Sequence, residues 1–317
     1  MEAARTVAGE LPDFPHLAEL PGRGPGADMT GRAAALLVDI PAEVTPRGWR
    51  IAERPGRDLR RARSMLSADL DAIEEVLDGY EGLLKVQVCG PWTLAATLEQ
   101  PRSLNAALAD PGLVADLAAS LAEGAAAHVA EVAKRVPRAA LVVQFDEPAL
   151  PAVINGAVPT ASGLSRVRAV EEEVLRDKLH EVLTAAKRYS IVHCCSRDCP
   201  FGIITGAGAD AVSFDLSLLR RDDYDRLAAV AEAGAGLLAG AISFSYPERN
   251  GVTPTDTAKA VREVWRKMGL SPARCAEQVV VTPACGLAAA SPAQARAALR
   301  WCREAGRILP EMMGEMA

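Results

Sequence analysis

Aromatic residues are scarce in this chain: Phe, Trp and Tyr together make up 4% of its 317 residues. Alanine and leucine dominate instead, which favours a helix-rich protein over an all-β one. A basic excess is also missing. Lys and Arg number 35 against 41 Asp and Glu, a net charge of −6, and no basic stripe carries interleaved aromatics, so nucleic acid is not an expected partner. No apolar run reaches the roughly 18 residues of a membrane span. The acidic N-terminus has no signal-peptide core, so a cytoplasmic protein without a membrane partner is expected. No glycine-rich phosphate fingerprint follows a first strand, which argues against dinucleotide binding. The seven cysteines are odd in number and form no small-scaffold framework, which in a reducing compartment favours thiols and metal ligands over disulfides.

What is present reads as alternating strands and helices in a single domain over 1–317. Half of the residues are hydrophobic, enough for a sizeable core. The spacing predicts helices over Met1–Leu11, Asp28–Val38, Asp58–Asp78, Ser103–Arg135, Leu164–Arg188, Phe201–Ala207, Leu219–Gly234 and Thr255–Met268, with a last one starting at Ser291 and Pro292. The Pro/Gly-rich passage from Pro12 to Gly26 reads as a surface loop or a lid. Arg57, Arg60, Arg61 and Arg63 read first as a solvated helix face, with polyanion binding as the alternative. Six apolar runs, ending near Cys89, Asp146, His193, Asp215, Ser243 and Pro283, read as buried strands, and a weak strand lies around Trp49. Continuous apolar strands separated by helices indicate a parallel sheet covered on its face.

Ligand-type residues stand at the C-terminal ends of several of these strands, where a (β/α)8 barrel carries its active site. The stretch Ile191–Pro200 is the densest, with His193, Cys194, Cys195 and Cys199. His193 and Cys195 are two apart, so on a strand they face one side and can converge as imidazole and thiolate on a zinc ion. Cys285 at another strand end completes the natural set, with Asp215 as a labile oxygen ligand. Each has a plainer reading alone: His193 as a hydrogen-bonded core histidine, Cys285 as a small buried hydrophobe, Asp215 as a cap of the next helix. Cys194 should point the opposite way. Cys199 could pair with Cys195, while Cys89, Cys275 and Cys302 have no partner pattern. The carboxylates of Asp146-Glu147-Pro148 read equally as a solvated turn or as a site.

The motifs His193-x-Cys195, Asp210-Ala-Val-Ser-Phe-Asp215, Pro283-Ala-Cys285-Gly-Leu287 and Gln144-Phe-Asp-Glu-Pro-Ala149 resemble the cobalamin-independent methionine synthase family. The likeness is to its C-terminal catalytic barrel and its short single-barrel members, and the turn Gly90-Pro91-Trp92-Thr93 fits as well. The resemblance implies a (β/α)8 TIM barrel of the uroporphyrinogen decarboxylase type. It implies zinc held by His193, Cys195, Asp215 and Cys285, and a substrate amino group gripped by Asp146, with Glu147 orienting it or bonding nearby backbone. The implied reaction is methyl transfer to homocysteine from a methyltetrahydrofolate or methyl-corrinoid donor, the latter on a corrinoid protein. Transfer to another small thiol and a non-catalytic zinc-holding barrel are the alternatives.

The chain departs from the family pattern in several places. Asp215 stands where the family usually has glutamate. The family's Asp-Met-x-Glu becomes Asp28-Met29-Thr30-Gly31. No histidine follows His193, so the proton donor expected after the seventh barrel strand is replaced by Ser243-Phe-Ser-Tyr-Pro247. The aromatic nearest to the family's folate-site tryptophan is Trp92. The first barrel strand with its Gly-Ser loop has no counterpart, in keeping with a strand count one short of eight. A start site upstream of Met1 is therefore expected, and the mass of the native protein tests it.

Overall fold

Six of the apolar runs become six strands of one parallel sheet in the computed structural model, which describes residues 1–243 and 252–314. An antiparallel hairpin, β1 (Ala42–Thr45) with β2 (Gly48–Ile51), precedes it. The wall strands are β3 (Gly82–Cys89), β4 (Ala139–Asp146), β5 (Tyr189–Cys194), β6 (Ala211–Asp215), β7 (Gly236–Ile242) and β8 (Val279–Pro283). Each pairs in parallel with the next in sequence, the winding of a (β/α)8 barrel, here a partial one. The strand around Trp49 is real, but it belongs to the hairpin rather than to the wall.

Alternation sorts the side chains of the wall. Val86, Val88, Val143, Phe145, Val192, Val212 and Phe214 are buried in the main core. Their sequence neighbours face the barrel axis. There, Val142, Ile191, Ala211 and Leu238 form a small separate apolar cluster, against which Phe14 packs. Polar residues follow further along the same strands: Gln87, Gln144, His193 and Ser213. The barrel interior thus has an apolar floor and a polar upper part.

Part of the Pro12–Gly26 passage is neither loop nor lid. His16 forms a parallel bridge with Lys85. The Leu17 N–H donates to the Lys85 carbonyl at 2.9 Å, and the Lys85 N–H donates to the Pro15 carbonyl at 3.0 Å. Residues 15–17 therefore stand beside β3 as a seventh position of the wall. The neighbouring prolines hid that extended piece from a periodicity reading.

Two long helices are shorter than expected. The first, within Ser103–Arg135, begins only at Pro111 (Pro111–Arg135), where Asp110 accepts from the Gly112 and Leu113 N–H groups as its N-cap. The second, within Leu164–Arg188, spans Glu172–Ala185. Thr160–Ser165 instead forms a turn closed by the Thr160 N–H on the Ser165 carbonyl, and it leaves Leu164 93% exposed. The Pro111–Arg135 helix is long and apolar enough to cross a membrane by length and composition, and 56% of the qualifying window is buried inside the fold. The helix Arg57–Val76 buries Leu59, Ala62, Leu66, Leu70 and Ile73, as its pattern demands. Its Arg57, Arg60 and Arg61 are exposed. Arg63 donates to the Ala35 and Leu37 carbonyls, closing the C-terminal end of the helix Met29–Leu36.

Candidate functional site

His193 ends the inward row of β5 and is 9% exposed. Its Nδ1 lies 2.8 Å from the hydroxyl of Ser213, its register partner on β6. With Nδ1 engaged, Nε2 is the nitrogen left to serve as a ligand. Cys195 follows two residues later, and its sulfur lies 3.2 Å from that of Cys285. One ligand atom from each of His193, Cys195 and Cys285 falls within 4.8 Å of the other two. Strands β5 and β8 are three places apart in the sheet, about 14 Å in a flat one. The sheet must therefore curl for their ends to meet.

The two thiols are unequal. Hydrogen bonds from Cys195 and then His193 bring the Cys285 thiol down to about 4, while the Cys195 thiol is pushed up by its bond to Cys285 and by burial. Cys194 faces away from this site, fully buried. The Cys194 and Cys199 thiols are hydrogen-bonded to each other, so the partner of Cys199 is Cys194 rather than Cys195.

Asp215 lies outside the three-residue cluster. Its Oδ1 accepts from the Ser217 N–H at 2.8 Å and the Ser217 hydroxyl at 2.7 Å, capping the 3₁₀ turn Leu216–Leu218. That is the capping role open to it from sequence.

Asp146 and Glu147 separate completely. The Asp146 Oδ1 accepts from Gln144 Nε2 at 2.7 Å. Burial raises its carboxyl above the usual range, and His193 and Lys85 oppose that rise. Glu147 is 0% exposed. It accepts from the N–H groups of Trp92 at 2.8 Å and Thr93 at 2.7 Å, and from the Thr93 hydroxyl at 2.7 Å. These donors open the short helix Pro91–Thr97, where a carboxylate suits the helix N-terminus. The substrate contact expected of Glu147 is thus taken up by backbone bonding. Gly90 explains the turn, because a Cβ there would run into the Glu147 carboxyl.

The Gly31 position is closed as well. Asp28 caps the helix Met29–Leu36, with Oδ1 on the Gly31 N–H at 2.9 Å and Oδ2 on the Gly26 N–H at 3.0 Å and on Trp49 Nε1 at 3.1 Å. A Cβ on Gly31 would meet the Gly26 backbone at 2.8 Å, so no longer side chain fits there without moving that loop. Residues 244–247 of the Ser243–Pro247 stretch lie outside the described residues.

The polar interior also holds groups the motif reading missed. Lys85, inside a strand read only as apolar, donates to Gln144 Oε1 at 3.0 Å and Gln87 Oε1 at 3.4 Å. Arg32 meets Glu19 at 2.9 Å and Asp69 at 2.6 Å. A charged residue at an inward position of an otherwise apolar strand was the signal available.

The donor set of His193, Cys195 and Cys285 fits zinc, which takes nitrogen and thiolate ligands. The sulfurs stand closer than the about 3.8 Å of two thiolates on one tetrahedral zinc, so a small spreading of the Cys285 loop accommodates the ion.

Residues 85–307, well over half of the chain, match the model of the cobalamin-independent synthase catalytic domain. None of the curated proteins compared matches. Among solved structures, the chain is similar to a B12-independent methionine synthase from Shewanella sp. W3-18-1 in complex with selenomethionine, with a TM-score of 0.53 and 15% identity, over 78% of this chain and 67% of that one. At that identity the likeness concerns the fold.

Proposed function

This chain belongs to the cobalamin-independent methionine synthase family through its catalytic domain and is a methyltransferase, and from that premise we propose that it methylates the sulfur of homocysteine at a zinc ion held by His193, Cys195 and Cys285. The observation that carries this reading is the meeting of those three donors within 4.8 Å at the C-terminal ends of β5 and β8, with His193 the register partner of Asp146. Asp215, one strand further on, is the candidate fourth ligand if its capping bond opens.

When bound, zinc lowers the pKa of a substrate thiol so that the nucleophilic thiolate exists near neutral pH. The chain's own residues do the rest. Ser213 holds the His193 ring, which keeps Nε2 turned to the ligand point. Cys285, its pKa lowered by hydrogen bonds from Cys195 and His193, brings thiolate character to the site. Asp146 offers a carboxylate to the ammonium group of the amino acid and so sets the acceptor sulfur at a fixed distance from the metal residues. Glu147 binds no substrate and anchors the helix Pro91–Thr97 under the site.

A corrinoid donor finds no support, because both the family and its solved neighbour are described as independent of cobalamin. The proposed donor is a methyltetrahydrofolate: its nitrogen–methyl bond breaks as the sulfur–methyl bond forms, and the proton the homocysteine thiol gives up to solvent is matched by one the amine leaving group takes from solvent. Cytoplasmic placement belongs to the same proposal.

The test is metal analysis followed by titration with homocysteine, read at the zinc by X-ray absorption, and then methyl transfer from folate and corrinoid donors. Stoichiometric zinc that gains a sulfur neighbour, together with folate-dependent methionine formation, supports the reading. Zinc indifferent to every thiol would leave a metal-holding barrel without this reaction.

A further inference from the structure

Directly beneath Asp146 the barrel interior contains a cation joined to it by one amide. Lys85 Nζ donates to Gln144 Oε1 at 3.0 Å, and Gln144 Nε2 donates to Asp146 Oδ1 at 2.7 Å. The orientation of the amide is forced. An ammonium group only donates and the carboxylate accepts, so Gln144 must turn its oxygen to Lys85 and its nitrogen to Asp146. Gln87 supplies a second acceptor for the ammonium at 3.4 Å, and Gln87 is itself tied to the Leu17 carbonyl beside β3. Lys85 is thus held from two sides on an inward position of the wall. Burial lowers the Lys85 pKa, and Asp146 and Glu19 oppose that fall and favour its ammonium form; burial, and after it Lys85, disfavours a cation at His16.

Building on the reading of Asp146 as the ammonium site, we propose that Lys85 is a positioning residue that sets the specificity of the enzyme for acceptors bearing an amino group. Through Gln144 it fixes Asp146 Oδ1 toward the interior, which turns Oδ2 to the mouth. There Oδ2 meets the substrate's ammonium already oriented. The position that holds glutamate in the family's Asp-Met-x-Glu is filled here by Gly31, against the Gly26 backbone. Recognition of the amino group therefore leans on Asp146, and the orientation of that one carboxylate matters more. No bond is made or broken in this role, and Lys85 does not touch the reacting atoms.

The probes are L-methionine, the product under the proposed function, and 4-(methylsulfanyl)butanoate, the same molecule without its amino group. Both are titrated into the same metal-free chain, so the metal enters neither side of the comparison. Calorimetry on the full chain is compared for the wild type, Lys85→Met and Gln144→Met. Lys85→Met keeps the hydrocarbon stem and removes the charge, and Gln144→Met keeps Lys85 and cuts the relay. The wild type should prefer methionine by about tenfold or more, as for a charge-assisted hydrogen bond. Each variant should lose about tenfold of that preference, with the affinity for the amino-free probe within about twofold of wild type. Should one variant fail to fold, as thermal melting reports, the other decides. Preference unchanged in a folded variant overturns the relay, and so does an equal loss for both probes, which is the mark of a merely structural role. A wild type without preference removes the amino-group reading of Asp146 and this inference with it, whereas a retained preference that the variants do not reduce leaves Asp146 in place and removes Lys85 alone.

Discussion

Cys285 is the most exposed of the three proposed ligands and the one whose charge depends on its neighbours. Replacing a thiolate by a hydroxyl removes the soft donor that suits zinc. In Cys285→Ser the bound zinc should fall to about a tenth of wild type or less after dialysis, and methyl transfer should fall with it. Stoichiometric zinc in that variant would contradict the ligand set. Glu147 differs in kind, because its two oxygens close two helix N–H groups and a hydroxyl in full burial. Glu147→Ala orphans all three donors and should cost about 3 kcal/mol or more in denaturant unfolding. Asp146→Ala should leave stability nearer wild type and remove substrate binding. The residue pair Asp146-Glu147 was visible in sequence, but its division of labour was not. Adjacent residues on a strand face opposite ways, yet only the packed turn at Gly90–Thr93 shows what the outward carboxylate meets. Cys194 pointing away from the site was legible for the same reason of alternation. The pairing of Cys194 with Cys199 depends on a loop that has no periodicity to read.

Among the elements, the segment from Pro283 to Cys285 owes its place to β7. A register shift lies between Gly240 and Ile242 of that strand, and the Ala284 N–H donates to the Ile242 carbonyl at 2.9 Å. A Cβ on Gly240 would stand 2.5 Å from the Phe214 carbonyl oxygen on β6 and 2.7 Å from the Cα of Ala284, both closer than atoms pack, and of the two neighbours the loop after β8 is the freer to move. Gly240→Ala should therefore push the loop that carries Cys285 off the wall. We expect zinc affinity to drop by about tenfold or more while circular dichroism stays native, the effect of displacing a ligand's support. Unaltered affinity would show that the loop finds its position without β7. The strands were legible because six apolar runs stand between helices, and a fully buried parallel strand leaves that trace. The extended piece at Pro15–Leu17 left none, since it is too short for alternation and is framed by prolines. Helix starts fared worse than helix centres: Asp110-Pro111 is a cap followed by a first-turn proline, but the preceding residues of loop share the same alanine and leucine content as the helix.

For the whole molecule, pH dependence is read in the metal-free Cys285→Ser variant, which removes a thiol lowered to about 4 whose own contribution would rise from about pH 4 to 9, and it follows four buried groups, Glu19, Glu147, His16 and His128. Burial raises Glu19 and Glu147 to about 7, so the stability they contribute is full below their ordinary value of 4.5 and declines as pH rises through 7. Burial lowers His16 to about 3 and His128 to about 4, so their contribution is full above 6.5 and is lost as pH falls through 4 and 3. Between about 4.5 and 6.5 the two effects oppose each other with equal proton counts. Urea midpoints should be nearly flat in that interval, drop below it, and step down near pH 7. A steady rise from pH 5 to 8 would contradict these assignments. The partial barrel itself was readable from strand ends carrying His193, Cys195 and Cys285. Its curl was not, because it follows from contacts made far apart along the chain.

That distance has a consequence of its own. Cys195 and Cys285 are 90 residues apart, and among the described residues β8 has a strand neighbour on one side only. The proposed ion between them would act as a removable cross-link on a long loop, one that narrows the unfolded ensemble in the way a disulfide does and would tie the last strand back to the middle of the wall. Loading the metal should slow amide hydrogen exchange in β8 far more than in β3, so that the edge strand of the barrel becomes ordered chiefly when the enzyme is ready to work.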